Sequence, residues 1–447
     1  MKKIVLSLAG VLAAAAFAPE AAAVPAFARQ TGMACSACHQ QHFPVLNSFG
    51  RAFKAGGYTM MGAQGKVEGE HLSIPDTLNA SMVLKVRYQK QTNGAVGTGN
   101  GLGTVLDSTG NGQMQFADEF ALLFGGRVAE NVGFLTEVNL AGTTNGAVAG
   151  GLKTPFLFDV GAAKFSVIPF TTDAHGPAYG YELGSTGVLR ANRWSEMRRD
   201  TSANQYAMSD GNGSLGGFNN GATGFAFVAQ NDMGYINYTR YTPNHLVGGG
   251  GTAVASYEMK SNYLRIAATP TVGNWALHVG AGFLSGTSEV GLVPLAAVPA
   301  LGGMYETVGR FADLQAHGVV GGKELGVYAS YANSPVRDGG TCGTGVATAG
   351  NFCNVYNPTG TAHQAWQIGA DYSIIPHALA LQASYRAGER GGTSDNALLI
   401  GAIYDYTQNV ALHANVVSRS GGRYVANAAG VVNRGKSEYL MMLEMSW

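Results

Sequence analysis

The sequence predicts an all-β fold: a transmembrane antiparallel β-barrel of about 16 strands behind a small α-helical domain. Three observations predict it. Charged residues make up 13% of the 447-residue chain, against a usual share of about 25%, and glycine contributes 65 residues. Apolar and polar residues alternate with a period of two in stretches spread along most of the sequence. The chain also ends on an aromatic residue, Trp447, inside one of those stretches.

The first element is an export signal, residues 1–23. Lys2 and Lys3 precede an apolar run from Ile4 to Ala18, and Ala21-Ala22-Ala23 has the small side chains of a cleavage site. The run is too short for a membrane anchor. Export places the mature chain, from about Val24, in an oxidising compartment.

The second element, residues 24–75, contains Cys35-Ser36-Ala37-Cys38-His39. Two thiols followed directly by an imidazole at this spacing form the attachment motif of one haem c. Cys35 and Cys38 would make the thioether links and His39 would be the proximal axial ligand. A thioredoxin-like Cys-x-x-Cys needs a βαβ context, which is missing here. A zinc site needs a second ligand pair at finger-like spacing, and Cys342 and Cys353 do not supply it. Phe43, Val45, Leu46, Phe49 and Phe53 fall on one side of an expected short helix with Pro44 near its start and Gly56-Gly57 at its end. Arg51 and Lys54 are either partners for haem propionates or a solvated helix face. A piece of about 50 residues has too little core to stand alone, so it is expected to rest in the barrel lumen.

For the sixth iron ligand, His42 is too close to His39 to reach the opposite face of the ring, and Met33 precedes the motif too closely. Met60 or Met61, past the Gly56-Gly57 reversal, has the slack to do so. His/Met ligation would raise the reduction potential, and bis-His ligation through His71 would lower it. Either methionine also reads as an ordinary packing residue.

The third element, residues 76–447, is the barrel. Leu78, Ala80, Met82, Leu84, Val86 and Tyr88 alternate with Asn79, Ser81, Lys85, Arg87 and Gln89. Trp275–Phe283 and Leu325–Tyr331 repeat the pattern. Many long charged residues oppose the apolar face, which suits lipid on one side and a polar lumen on the other. Tyr439, Met441, Leu443, Met445 and Trp447 form a last apolar stripe, set against Glu444 and Ser446. At about 23 residues per strand with its turns, the segment holds ~16 strands, an even number. Thr92–Asn111, Gly142–Gly151, Ser209–Gly221 and Ser334–Thr361, rich in Gly, Asn, Ser and Thr, are the expected extracellular loops. Cys342 and Cys353 lie in the last of these, and a disulfide between them would contribute about 3 kcal/mol.

Formal charge is zero, and near −1 once Lys2, Lys3 and Glu20 are removed, so nucleic acid is not an expected partner. His and carboxylate residues (Asp173, His175, Glu182, His278, His317) show no recurring metal-ligand spacing. Lys85, Arg87, Glu119, Glu137 and Glu444 read either as part of a weak carboxylate-lined encounter surface for iron or as the solvated inner wall of a porin.

Pro25-Ala26-Phe27-Ala28-Arg29-Gln30-Thr31-Gly32, the Cys35–His39 motif, Phe43-Pro44, Phe49-Gly50-Arg51, Phe53-Lys54 and Gly57-Tyr58 resemble the fused cytochrome–porins of bacterial outer membranes, monohaem cytochromes that serve as iron(II) oxidases. The resemblance is dense over Val24–Met61. Over the barrel it rests on length, alternation and Trp447. It implies an outer-membrane oxidoreductase of a Gram-negative bacterium, its haem-bearing domain seated in a barrel of about sixteen strands. Electrons would pass from extracellular Fe(II) to a periplasmic cytochrome c or similar carrier, with outer-membrane lipid around the barrel. Two other readings stay open: a diffusion porin whose haem domain is a structural or sensory plug, and the same conduit with a donor other than iron.

Overall fold

The computed structural model describes residues 25–92, 112–140, 149–173, 175–185, 195–197, 202–208, 221–243, 245, 258–290, 303–337, 353–354, 356–357, 361–425 and 436–447. The export signal lies outside the described residues, as do most of the four expected extracellular loops. Part of Gly142–Gly151 is a strand, Ala149–Lys153.

The chain closes into a barrel of sixteen antiparallel staves, the count that length and alternation predict. The last strand, Ser437–Ser446, pairs with the first, Ala80–Thr92, placing Met441 opposite Tyr88 and Glu444 opposite Lys85. Trp447 completes the seam by exchanging two backbone hydrogen bonds with Met82, at 2.8 and 3.0 Å. Closure leaves no strand edge to be satisfied by water, the condition for backbone inside a bilayer.

Which face is apolar settles the surroundings of the wall. In Ala80–Thr92 the polar Ser81, Lys85 and Gln89 are buried in the lumen, and the alternate Met82, Leu84 and Val86 face outward. Elsewhere Ile400, Ile368, Trp366, Phe283, Ile236 and Met441 are 48–64% exposed on the outside, while Arg265 and Arg386 are fully buried within. A water-soluble protein is arranged the other way round, so this wall is built for lipid.

One rim carries the short turns, at residues 129–132, 160–163, 231–234, 272–275, 320–323, 375–379 and 407–410. The long connections leave from the other rim. The N-terminal segment sits in the lumen at the short-turn end. It contains helices Pro25–Thr31, Cys35–Cys38 and Ser48–Ala55 and an exposed hairpin, Lys66–Gly69 with Leu72–Pro75. Phe27 stacks on Tyr58 with ring centres 5.0 Å apart and meets Phe53 edge-on at 5.1 Å. These three rings are a very small core. The barrel wall supplies further support: Arg29 donates to the Ala80 carbonyl at 2.6 Å, Gln230 to that of Ala55 at 2.8 Å, and Gln41 to those of Glu324 and Asp371 at 3.0 and 3.1 Å.

The third helix departs from expectation. It begins at Ser48, with Asn47 accepting from the Gly50 amide at 2.9 Å, and not at Pro44. An Asn cap with its side chain on the amide three residues later fixes a helix start more firmly than a proline upstream. Phe43 to Leu46 therefore form a loop beneath His39, and Phe49 is exposed.

Candidate functional site

Cys35-Ser36-Ala37-Cys38 forms a single helical turn, after which the chain becomes extended at His39. A backbone bridge between His39 and Leu46 holds the loop against it, and Asn47 Nδ2 donates to the Ala37 carbonyl at 3.1 Å. Gly50 makes this closeness possible, since a Cβ there would collide with the carbonyl of Cys38. Both thiols are free. Burial, followed by the Asp405 carboxylate, pushes the Cys35 thiol up to about 12.

His39 is buried, with Nδ1 3.3 Å from the Val45 carbonyl oxygen. A carbonyl only accepts, so Nδ1 carries the proton and Nε2 keeps its lone pair. That tautomer is the one a metal-ligating histidine adopts. Burial lowers His39 to about 4, which keeps it neutral. Two free thiols beside such an imidazole are the donor set that a covalent haem requires, and in that respect the residues fit the group.

These side chains face a small hollow of about 10 Å³ between the plug and the short-turn rim, room for about one water. Cys35, His39, His42 and Phe43 come from the plug, and His377, Asp405 and Gln408 from the wall and its turns. Gln408 accepts from the Ser36 amide at 3.3 Å, joining rim to motif. The donor atoms suit a haem but the space does not hold a porphyrin as it stands: it is far below the ~300–1,000 Å³ of ordinary cofactor clefts, and plug and rim would have to part to admit one.

The other sequence candidates fall elsewhere. Met60 and Met61 are half-buried, the Met60 carbonyl accepts from Gln30 at 2.8 Å, and neither methionine lines the hollow. His71 stands exposed at the tip of the Lys66–Pro75 hairpin. Arg51 turns to the Leu46 carbonyl at 3.3 Å and to Ser48 Oγ at 3.2 Å. Cys342 and the side chain of Cys353 lie outside the described residues, and so does their expected disulfide.

Sequence reasoning missed a second layer. The connection after strand Ala163–Thr172 folds into the lumen above the plug. Its Glu182 accepts from Tyr235 at 2.6 Å and pairs with Arg265 Nε at 3.0 Å, while Arg265 holds Asp313 in a bidentate pair at 2.6 and 2.9 Å. Glu196 reaches the opposite wall, 3.0 Å from Arg87. Helix Ala203–Ala207 lies near a third part, with Tyr206 under the Arg386 guanidinium at 3.7 Å. Lys153 links the layers: it donates to the Tyr179 carbonyl at 2.9 Å and lies 5.7 Å from the centre of the plug's Tyr58 ring.

The inner-wall charges are paired with one another and largely buried rather than solvated. Lys85 lies 2.5 Å from Glu119 and 3.4 Å from Glu444, and Glu137 lies 3.8 Å from His175. Glu182 and His278, far apart in sequence, come within 3.6 Å. Among the described residues no group of three or more His, Cys, Asp or Glu side chains could hold a metal ion.

The wall is thus closed and sixteen-staved, charged within and apolar outside, with one connection folded inward. Among solved structures it is similar to the outer-membrane protein OmpT of Vibrio cholerae, at 11% identity and a TM-score of 0.44 over 86% of this chain and 100% of that one. It is also similar to the outer-membrane channel DcaP of Acinetobacter baumannii, at 13% identity and 0.44 over 83% and 97%. No protein-family model matches the sequence, and no curated protein does.

Proposed function

We propose that the protein is an outer-membrane c-type cytochrome that takes electrons from extracellular Fe(II) and delivers them to a periplasmic carrier such as a cytochrome c. One observation carries the reading: free Cys35 and Cys38, with His39 tied through Nδ1 to Val45, lie in a plug held inside a porin-like barrel. The cofactor would be one haem c on Cys35 and Cys38, supplying one-electron transfer at the iron beside His39. Each Fe(II) gives one electron and becomes Fe(III), and the carrier gains that electron.

The remaining work belongs to the polypeptide. Val45 fixes the His39 tautomer. Gln41, Gln230 and Arg29 anchor the plug to the wall. The inward connection and the plug both lie within the lumen, and oxidation there would leave ferric product that precipitates outside the cell. The lumen carboxylates offer a weak encounter surface to a divalent cation, which suits a transient substrate.

The second reading is a diffusion channel whose plug is structural or sensory, and the porin-like barrel itself speaks for it. One experiment separates the two. Ferrous iron is added anaerobically to outer membranes from expressing cells, and small-solute entry into liposomes carrying the protein is measured alongside. Prompt appearance of the reduced α-band, lost in the Cys35→Ala/Cys38→Ala double variant, with little solute entry, supports the conduit. Free solute entry with a spectrum unmoved by iron but reduced by dithionite supports the channel. Reduction by a sulfur compound or an electrode, and not by iron, keeps the conduit and changes its donor.

A further inference from the structure

We propose that His377, carried on a turn of the barrel wall, is the second axial ligand of a haem attached at Cys35 and Cys38; the inference rests on the haem reading above. The hollow that His39 and Cys35 face is completed from the barrel side by His377, Asp405 and Gln408. Of these three, only His377 offers iron a nitrogen ligand.

The competing side chains are engaged or absent. His42 also lines the hollow, but its Nδ1 donates to the Phe43 carbonyl at 2.8 Å, and its Nε2 lies 3.5 Å from Asp371 and 3.4 Å from Gln382. Met60 and Met61 do not line the hollow. His377 makes no hydrogen bond or ion pair with the described residues.

The backbone is compatible with that role. Turns of the same rim put Gly161, Gly273 and Gly321 at φ of 61°, 60° and 62°, where glycine is free of strain. The 375–379 turn places His377 at φ 56° in the same left-handed region. The exposed His71 holds φ 59° at its hairpin tip, so a histidine is admitted in this conformation without such a role, and the ligand assignment rests on the lining of the hollow. Ligation from the wall would also tie the plug to the barrel through the cofactor, which suits a plug with so small a core of its own.

The test uses the full-length protein purified from outer membranes, as wild type, His377→Gly and the Met60→Ala/Met61→Ala double variant. Glycine suits the turn, so the first variant keeps the fold. Pyridine haemochrome absorbance first counts attached haem, then near-infrared magnetic circular dichroism of the ferric protein reads the axial pair. The inference expects a bis-imidazole signature in wild type and in the double methionine variant. In His377→Gly that signature is lost to a high-spin form and restored by added imidazole. A His–Met signature in wild type, or an unchanged one in His377→Gly, overturns the inference and leaves the haem reading standing. Absence of haem from the wild type overturns both.

Discussion

His39 Nδ1 and the carbonyl oxygen of Val45 lie 3.3 Å apart, so the residue after the second thiol is oriented by the loop that follows it. The orientation depends on Gly50, whose missing side chain lets the Ser48–Ala55 helix close on the Cys38 carbonyl. The Gly50→Ala variant is expected to displace that helix and lower covalent haem attachment, measured as haem absorbance per polypeptide. The amount of assembled barrel should be unchanged.

Plug and wall can be separated by a second glycine. A Cβ on Gly133, in the barrel strand Val132–Asn139, would strike the Gly57 carbonyl of the plug. Gly133→Ala is expected to loosen the plug without touching the Cys35–His39 motif. Limited proteolysis should then cut within residues 25–75 faster than in wild type.

The inward connection is held by buried charge. Removing one partner of such an ion pair costs about 3–5 kcal/mol, because the remaining charge stays buried. Glu182→Gln takes away a carboxylate that receives Arg265 and Tyr235. The variant is expected to free the connection from the wall, and liposome swelling should show faster entry of small sugars.

Lys54 provides a pH test. Burial lowers its pKa from 10.5 to about 8, partly offset by the Glu182 charge. Between those values the unfolded chain binds the extra proton, so stability should rise with pH from about 8 to 10.5. Lys54→Met is expected to flatten that rise and to increase the melting temperature near pH 7, both measurable by thermal unfolding in detergent.

Trp447 and Met82 close the barrel seam through backbone bonds in both directions. Deleting Trp447 removes both and is expected to reduce the yield of folded barrel in the outer membrane, seen as less heat-modifiable band on a gel.

Most of the wall was legible because a strand between lipid and water writes its two faces directly into the sequence. Lys85 and Met82 lie on the faces their period assigns, and the even stave number follows from length. The Cys35–His39 motif was legible for a similar reason, being local. What escaped reading depends on distance. Glu182 meets Arg265 and His278 only after the barrel has closed, so nothing in the local sequence marks the connection that carries it as a lumen element. His377 sits 338 positions beyond His39, in a turn whose Ile375-Pro376-His377 sequence looks like any other reversal. The helix start was misread because Pro44 is a louder signal than Asn47, although the Asn47 side chain makes the cap.

The whole reading requires one covalent haem lodged in a plug inside this barrel. Intact mass spectrometry of the mature protein, extracted from purified outer membranes, tests it most directly. The expected spectrum is a single species heavier than the processed polypeptide by one haem, shifting to the bare mass in the Cys35→Ala/Cys38→Ala variant. A wild-type protein at the bare polypeptide mass would contradict it.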